Sequence, residues 1–209
     1  MVEVVSARRS HTRDRLVDAA VAVFAEKGVL GASVEEICEA AGFTRGAFYS
    51  NFDSKDALCL ALLERQAAGN MAGAHSAIAA LPSASQPGAL GLDDLIHRAI
   101  GVFLAAQPGD RASVLAGIEL RLYAVRSESL RPGYLAFVDR ISAEFLSLLE
   151  RTLSDFGFRL TVPGAQALAV LQGVLEQGAV NALLRGEPDD NPDLATLLSG
   201  VLKSLIDRV

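Results

Sequence analysis

Tryptophan is missing from this 209-residue chain, which has only two cysteines and three histidines, with aromatic residues at 6%. Two cysteines cannot make the disulfide framework that staples small extracellular domains. Cys38 and Cys59 stand among apolar residues in helical patterns, which predicts buried free thiols in a reducing compartment. His75 and His97 are isolated, and no His/Cys/Asp/Glu spacing suits a metal, so no metal and no cofactor are expected. Sustained period-2 alternation is missing, while long stretches repeat with period 3.6, so the fold class is all-α. No apolar run reaches about 18 residues without polar interruption, which predicts no membrane span. The opening MVEVVSARRS has no apolar h-region followed by a cleavage site, so a cytoplasmic location is expected. A nucleophile elbow, a phosphate loop and paired metal ligands are also missing, which argues against an enzyme. No internal repeat is evident.

An excess of basic residues is lacking as well: the formal net charge is -6. That total weighs against a nucleic-acid partner, yet a small footprint can be locally basic. Arg8, Arg9, Arg13 and Arg15 cluster near the N-terminus, and acids gather later, as in GEPDDNPD. What the chain does have is apolar residues, at 51%, enough for a large core.

The stretch from Ser33 to Leu58, SVEEICEAAGFTRGAFYSNFDSKDAL, is the most informative. Ser33 followed by Glu36 is a capping box, so a helix begins at Val34, with Val34, Ile37, Cys38 and Ala41 inward and Gly42 as the turn. Thr44 is an N-cap for a second helix, Arg45 to Asn51, with an interior glycine and a Tyr-Ser-Asn run. A short, polar, weakly propensed helix held by two neighbours is what a helix presented to a DNA groove looks like. The region reads as a helix-turn-helix.

Around it, a first helix starts between Ser10 and Arg13, shows one apolar face (Leu16, Ala19, Ala20, Val23, Phe24) and stops at Gly28. Phe43, Phe48 and Phe52 pack the short helices together, and Ser54 caps a long helix ending between Gly69 and Leu81. PSASQPGALG, from Pro82 to Gly91, reads as a linker. Further helices follow over Leu92–Ala106, Asp110–Val125 and Pro132–Phe156, then from Pro163 to a Gly186 stop. Asn191 caps a last helix, Pro192 to Arg208. The expected organisation is about nine helices: residues 1–53 as the head, and 54–209 as a connecting helix plus a larger body.

From Arg13 to Leu62 the chain resembles the DNA-binding head of the TetR/AcrR family of bacterial transcriptional regulators. The residues that carry the likeness are Ala19, Ala20, Phe24 and Gly28, then Ser33, Val34, Ile37, Ala40, Ala41 and Gly42. Thr44, Gly46, Tyr49, Phe52, Lys55 and Leu58 complete it. Asn51 departs from the pattern, many members having His there. The rest of the chain resembles the family only in helix count and length. The resemblance implies a homodimer bound to a double-stranded DNA operator and released by a small-molecule effector, with Thr44, Tyr49, Lys55 and Ser33 on phosphates. Arg45 would read a guanine edge, Gly46 would let the helix approach the groove, and Ala47, Ser50 or Asn51 would lie against bases or backbone. Arg8, Arg9, His11 and Arg13 offer a flexible arm.

Each assignment has a plainer counterpart. Arg45 can be a solvated charge, Tyr49 half-buried packing, Ser33 a cap and nothing more, and the N-terminal arginines a tail. In the body the family implies pairing of the last two helices with their copies, and a pocket. Its candidates are Phe103, Glu119, Leu122, Tyr123, Phe137, Phe145, Gln172 and Glu176, each of which can equally be core or surface. The alternative function is a helical protein-interaction or ligand-carrier module that has lost DNA readout.

Overall fold

Gly28 is where the first helix breaks. α1 spans Val2–Gly31, and at Gly28 its backbone leaves the helical region, with φ 71° and ψ 162°. That combination is essentially closed to residues with a Cβ. The computed structural model describes residues 2–81, 92–105, 110–186 and 192–209. The linker from Pro82 to Gly91, the cap at Asn191 and the side chain of Arg8 lie outside the described residues. α1 begins well before the expected start between Ser10 and Arg13, because no glycine or proline precedes Gly28 to stop a helix.

Among the described residues the fold is all-α apart from one pair of short strands. After α1 come α2 (Val34–Ala41), α3 (Arg45–Tyr49), α4 (Lys55–Ala79), α5 (Leu92–Ala105), α6 (Arg111–Arg126) and α7 (Arg131–Asp155). Then follow β1 (Phe158–Leu160), α8 (Gly164–Arg185), α9 (Pro192–Ser204) and β2 (Ile206–Arg208). The caps are those the residue types demand. The Ser33 hydroxyl accepts from the Glu36 N–H and the Ser33 N–H donates to the Glu36 carboxylate, closing the box. Thr44 accepts from Ala47 N–H at 3.3 Å, Ser54 from Ala57 N–H at 3.1 Å, and Asp110 from Ser113 N–H at 2.9 Å.

The chain forms two compact units, one of Met1–Gln66 with Asp110–Phe137, the other of Ala67–Gly109 with Val138–Val209. The first has a continuous core. Leu16, Ala20 and Phe24 of α1, Ile37 of α2, Phe48 of α3, and Leu58 and Leu62 of α4 are fully buried in it. α6 joins them through Ala116, Leu120 and Ala124.

The second unit is centred on Ile96 and Ile100 of α5 with Leu198 and Leu202 of α9, flanked by Leu171 and Leu175 of α8. Gly178 lets α8 and α9 approach, since a Cβ there would stand 2.6 Å from Leu194 Cδ1. The last helix was expected to reach Arg208. It ends at Ser204 instead, and Ile206–Arg208 pairs antiparallel with Phe158–Leu160, Phe158 opposite Arg208. Three-residue strands are too short to show alternation, so the sequence pattern hides them.

Candidate nucleic-acid interface

α3 has a single buried residue, Phe48, so one anchor faces the core and nearly everything else faces out. Thr44, Arg45, Gly46, Tyr49 and Ser50 are exposed, with Ala47 and Asn51 part-buried. Tyr49 lies edge-on against Phe48, ring centroids 5.2 Å apart, yet keeps 48% of its surface open. The ring packs on one side, and its exposed hydroxyl end lies beside the Arg45 guanidinium. A Cβ at Gly46 would touch only Thr44 Oγ1, at 3.7 Å. The fold itself has room for a side chain there, so any need for glycine arises outside the chain.

The basic residues around this helix first hold the head together. Three arginines of α1 donate to the carbonyls that helices leave unpaired at their C-terminal ends. Arg9 reaches Ser50 O at 3.2 Å and Arg13 reaches Asn51 O at 3.0 Å, closing α3. Arg15 reaches Ala41 O at 2.7 Å, closing α2, with its guanidinium 4.9 Å from the Phe43 ring centroid. Arg9, His11 and Arg13 therefore lie within a helix, not on a flexible arm. Lys55, expected on a phosphate, donates to Val29 O at 2.7 Å and Ala32 O at 2.9 Å, closing the end of α1. An ammonium has three donors, so one remains.

Asn51 Nδ2 donates to Ala47 O at 2.8 Å and also ends α3, while Oδ1 has no partner among the described residues. Ser50 Oγ donates to Ala47 O at 2.8 Å. Ser33 is engaged by Glu36, whose carboxyl is pulled down to about 2, first by the Lys27 ammonium at 2.6 Å and then by Ser33. Arg45 pairs with Glu35 of α2, Nη1 to Oε1 2.6 Å, both side chains being more than half exposed. The Tyr49 hydroxyl first, and Glu35 second, raise the pKa of that guanidinium further.

Residues 16–62 match the family model of bacterial regulatory proteins, tetR family. The head is that of a TetR-family regulator. SrpR, an HTH-type transcriptional regulator of Pseudomonas putida, is 40% identical over 67 residues, 32% of this chain and 32% of SrpR. The chain thus spans about a third of that curated relative in the matched region. A proposed TetR-family transcriptional regulator from Rhodococcus sp. superposes with a TM-score of 0.67 at 20% identity, covering 94% of this chain and 98% of the other. The multidrug binding protein EbrR, solved with imidazole, is 27% identical with a TM-score of 0.54, covering 90% of this chain and 88% of its own. The likeness to the Rhodococcus structure is one of fold alone and spans 94% of this chain.

The expected effector residues fall in both units. Phe103 and Phe145 meet in the second, ring centroids 5.5 Å apart. Gln172 and Glu176 lie on the exposed side of α8. Glu119, Leu122, Tyr123 and Phe137 belong to the first unit. Glu119 sits over Gly28, Leu122 is 40% exposed, and Phe137 packs against the first core. The Tyr123 hydroxyl donates to Asp56 Oδ1 at 2.9 Å, and Ser129 donates to Asp56 Oδ2 at 2.6 Å. Sequence reasoning missed Asp56 and Glu35. Asp56 stands in the first turn of α4, where acids are common for dipole reasons alone, and nothing in its spacing announces Tyr123 67 residues on. The two thiols are buried as expected, and burial pushes Cys38 upward and Cys59 to about 12.

Proposed function

We propose that the chain is a homodimeric one-component transcriptional repressor that places α3 in the major groove of each half of a pseudo-palindromic operator. The observation that carries this is α3 itself: a five-residue helix with one buried anchor and an exposed Arg45-Gly46-x-x-Tyr49 face, in a TetR-family head. Arg45 reads a guanine edge. Thr44, Tyr49, Ser33 and the third donor of Lys55 meet phosphates, aided by the N-terminal end of α4. Gly46 lets the backbone close on the groove, with Ala47, Ser50 and Asn51 beside it.

Dimerisation rests on α8. The helix is long and apolar enough to cross a membrane, but Gln172, Glu176 and Gln177 interrupt its exposed side. Only 22% of its most apolar window is buried in the chain. Ala165, Ala169, Val170 and Gly173 are exposed on it, and Leu197 of α9 is 55% exposed. A second copy covering this small-residue face fits better than a bilayer. Two-fold symmetry then matches a two-fold DNA site.

A small molecule held by the second unit, around Phe103 and Phe145, would favour one of two states and weaken DNA binding only by its differential affinity for them. EbrR, a multidrug binding protein solved with imidazole, makes imidazole the first compound to screen. The protein acts by binding, in the cytoplasm. Fluorescence anisotropy with duplexes tiling the DNA upstream of the gene, with salt varied, tests the reading. One inverted-repeat duplex bound tightly, and lost on Arg45→Ala/Tyr49→Ala, supports it. Sequence-blind binding that vanishes with salt supports the interaction-module alternative, and operator binding that survives the double substitution removes Arg45 and Tyr49 from the readout.

A further inference from the structure

Resting on the proposed DNA reading, we infer that Glu35 is a specificity-determining residue, which holds Arg45 for base readout and keeps it off phosphates. Arg45 is the first residue of α3 and Glu35 the second of α2, so the two helices place opposite charges side by side. Glu35 Oε1 lies 2.6 Å from Arg45 Nη1, and on another side the guanidinium is 5.9 Å from the Tyr49 ring centroid. A free arginine on a DNA-facing helix swings to whatever anion is nearest, and on a duplex that is phosphate. Here one nitrogen already has its anion. The guanidinium has five N–H donors in a fixed fork, so the pair leaves donors for the O6 and N7 of a guanine.

The carboxylate has a second effect. It stands exposed beside the reading helix, and Arg45 must leave it to turn to a phosphate, whereas a guanine edge is met with the pair intact. Glu35 therefore penalises sequence-blind binding more than operator binding. Arg9, Arg13, Arg15 and Lys55 donate to carbonyls of the head, whereas Arg45, on α3 itself, is held by a carboxylate of α2.

The test uses full-length protein and a randomised duplex pool, selected in parallel with the wild type and with Glu35→Gln. Affinities are then measured for the wild-type-selected site and for one scrambled duplex. Glu35→Gln is expected to tighten scrambled binding about three- to fivefold while changing selected-site binding less, so the ratio of the two falls. Its salt slope on scrambled DNA should rise by about one as Arg45 turns to phosphate. Both effects should disappear when Arg45→Ala is added, which separates action through Arg45 from general repulsion. An unchanged ratio, or an effect that persists undiminished in Arg45→Ala, overturns the inference while leaving the DNA reading intact. Failure of the wild type to enrich any site overturns both.

Discussion

Gly46 separates folding from reading at a single position. Its missing side chain meets only Thr44 at ordinary distance, so Gly46→Ala should raise stability by about 0.5–1 kcal/mol through helix propensity. On the proposed DNA reading the same change should weaken operator binding, because the added methyl group would stand toward the groove; thermal melts and anisotropy on one preparation would show opposite signs. Glu36 makes a pH prediction. Its folded pKa of about 2 lies below the ordinary 4.5, so its contribution is present above about 4.5 and lost as pH falls through about 2. Glu36→Gln should therefore melt lower than the wild type at pH 7, with the gap closing toward pH 2. At this scale the sequence was a good guide to caps and a poor one to charges. The Ser33–Glu36 box and the Thr44 cap are local and follow from spacing. The partner of Lys55 is a pair of carbonyls 23 and 26 residues earlier, which no spacing rule reaches.

Elements in the first unit end on cations supplied by other elements. Arg15 is the most telling, because its 2.7 Å bond to Ala41 O secures α2 at the turn where Gly42 sits at φ 70°. Arg15→Ala should cost about 1–2 kcal/mol, the range for a hydrogen bond to a charged group, and hydrogen exchange should speed up first in α2. Lys55→Met should act on two properties. It leaves two carbonyls to find new partners and lowers stability by about 1–3 kcal/mol, and it lowers the salt slope of DNA binding by about one if the third donor meets a phosphate. Helix ends were largely legible, since Gly28, Gly42 and Gly186 all adopt positive φ where breaks were expected. The β1–β2 pair was not. Its partners are some 50 residues apart and each strand offers three residues, fewer than alternation needs to be seen.

The whole molecule carries a net charge of -6 and an apolar helix that it covers poorly. Gly173 lies on the exposed side of α8, and a Cβ there would meet nothing within 4 Å, so Gly173→Arg is tolerated inside the chain. On the proposed pairing through α8, it should leave a monomer in sedimentation experiments with an unchanged circular dichroism spectrum, and operator affinity should fall with it. The family was readable because its residues gather between Arg13 and Leu62, where head geometry leaves little latitude. The inclusion of α6 in the first unit was not, because an apolar 3.6-residue period says that a helix is covered without saying by what.

Gly28 bears on heredity as well as geometry. Its backbone lies in a region that costs other residues about 1–3 kcal/mol, and a Cβ would stand 2.7 Å from the Glu119 carboxylate, which can move aside. Missense changes at that codon should therefore destabilise the head by about that amount, a loss that heating would expose first. A screen for temperature-sensitive alleles of this gene should return Gly28 repeatedly, at a residue to which no DNA contact is assigned.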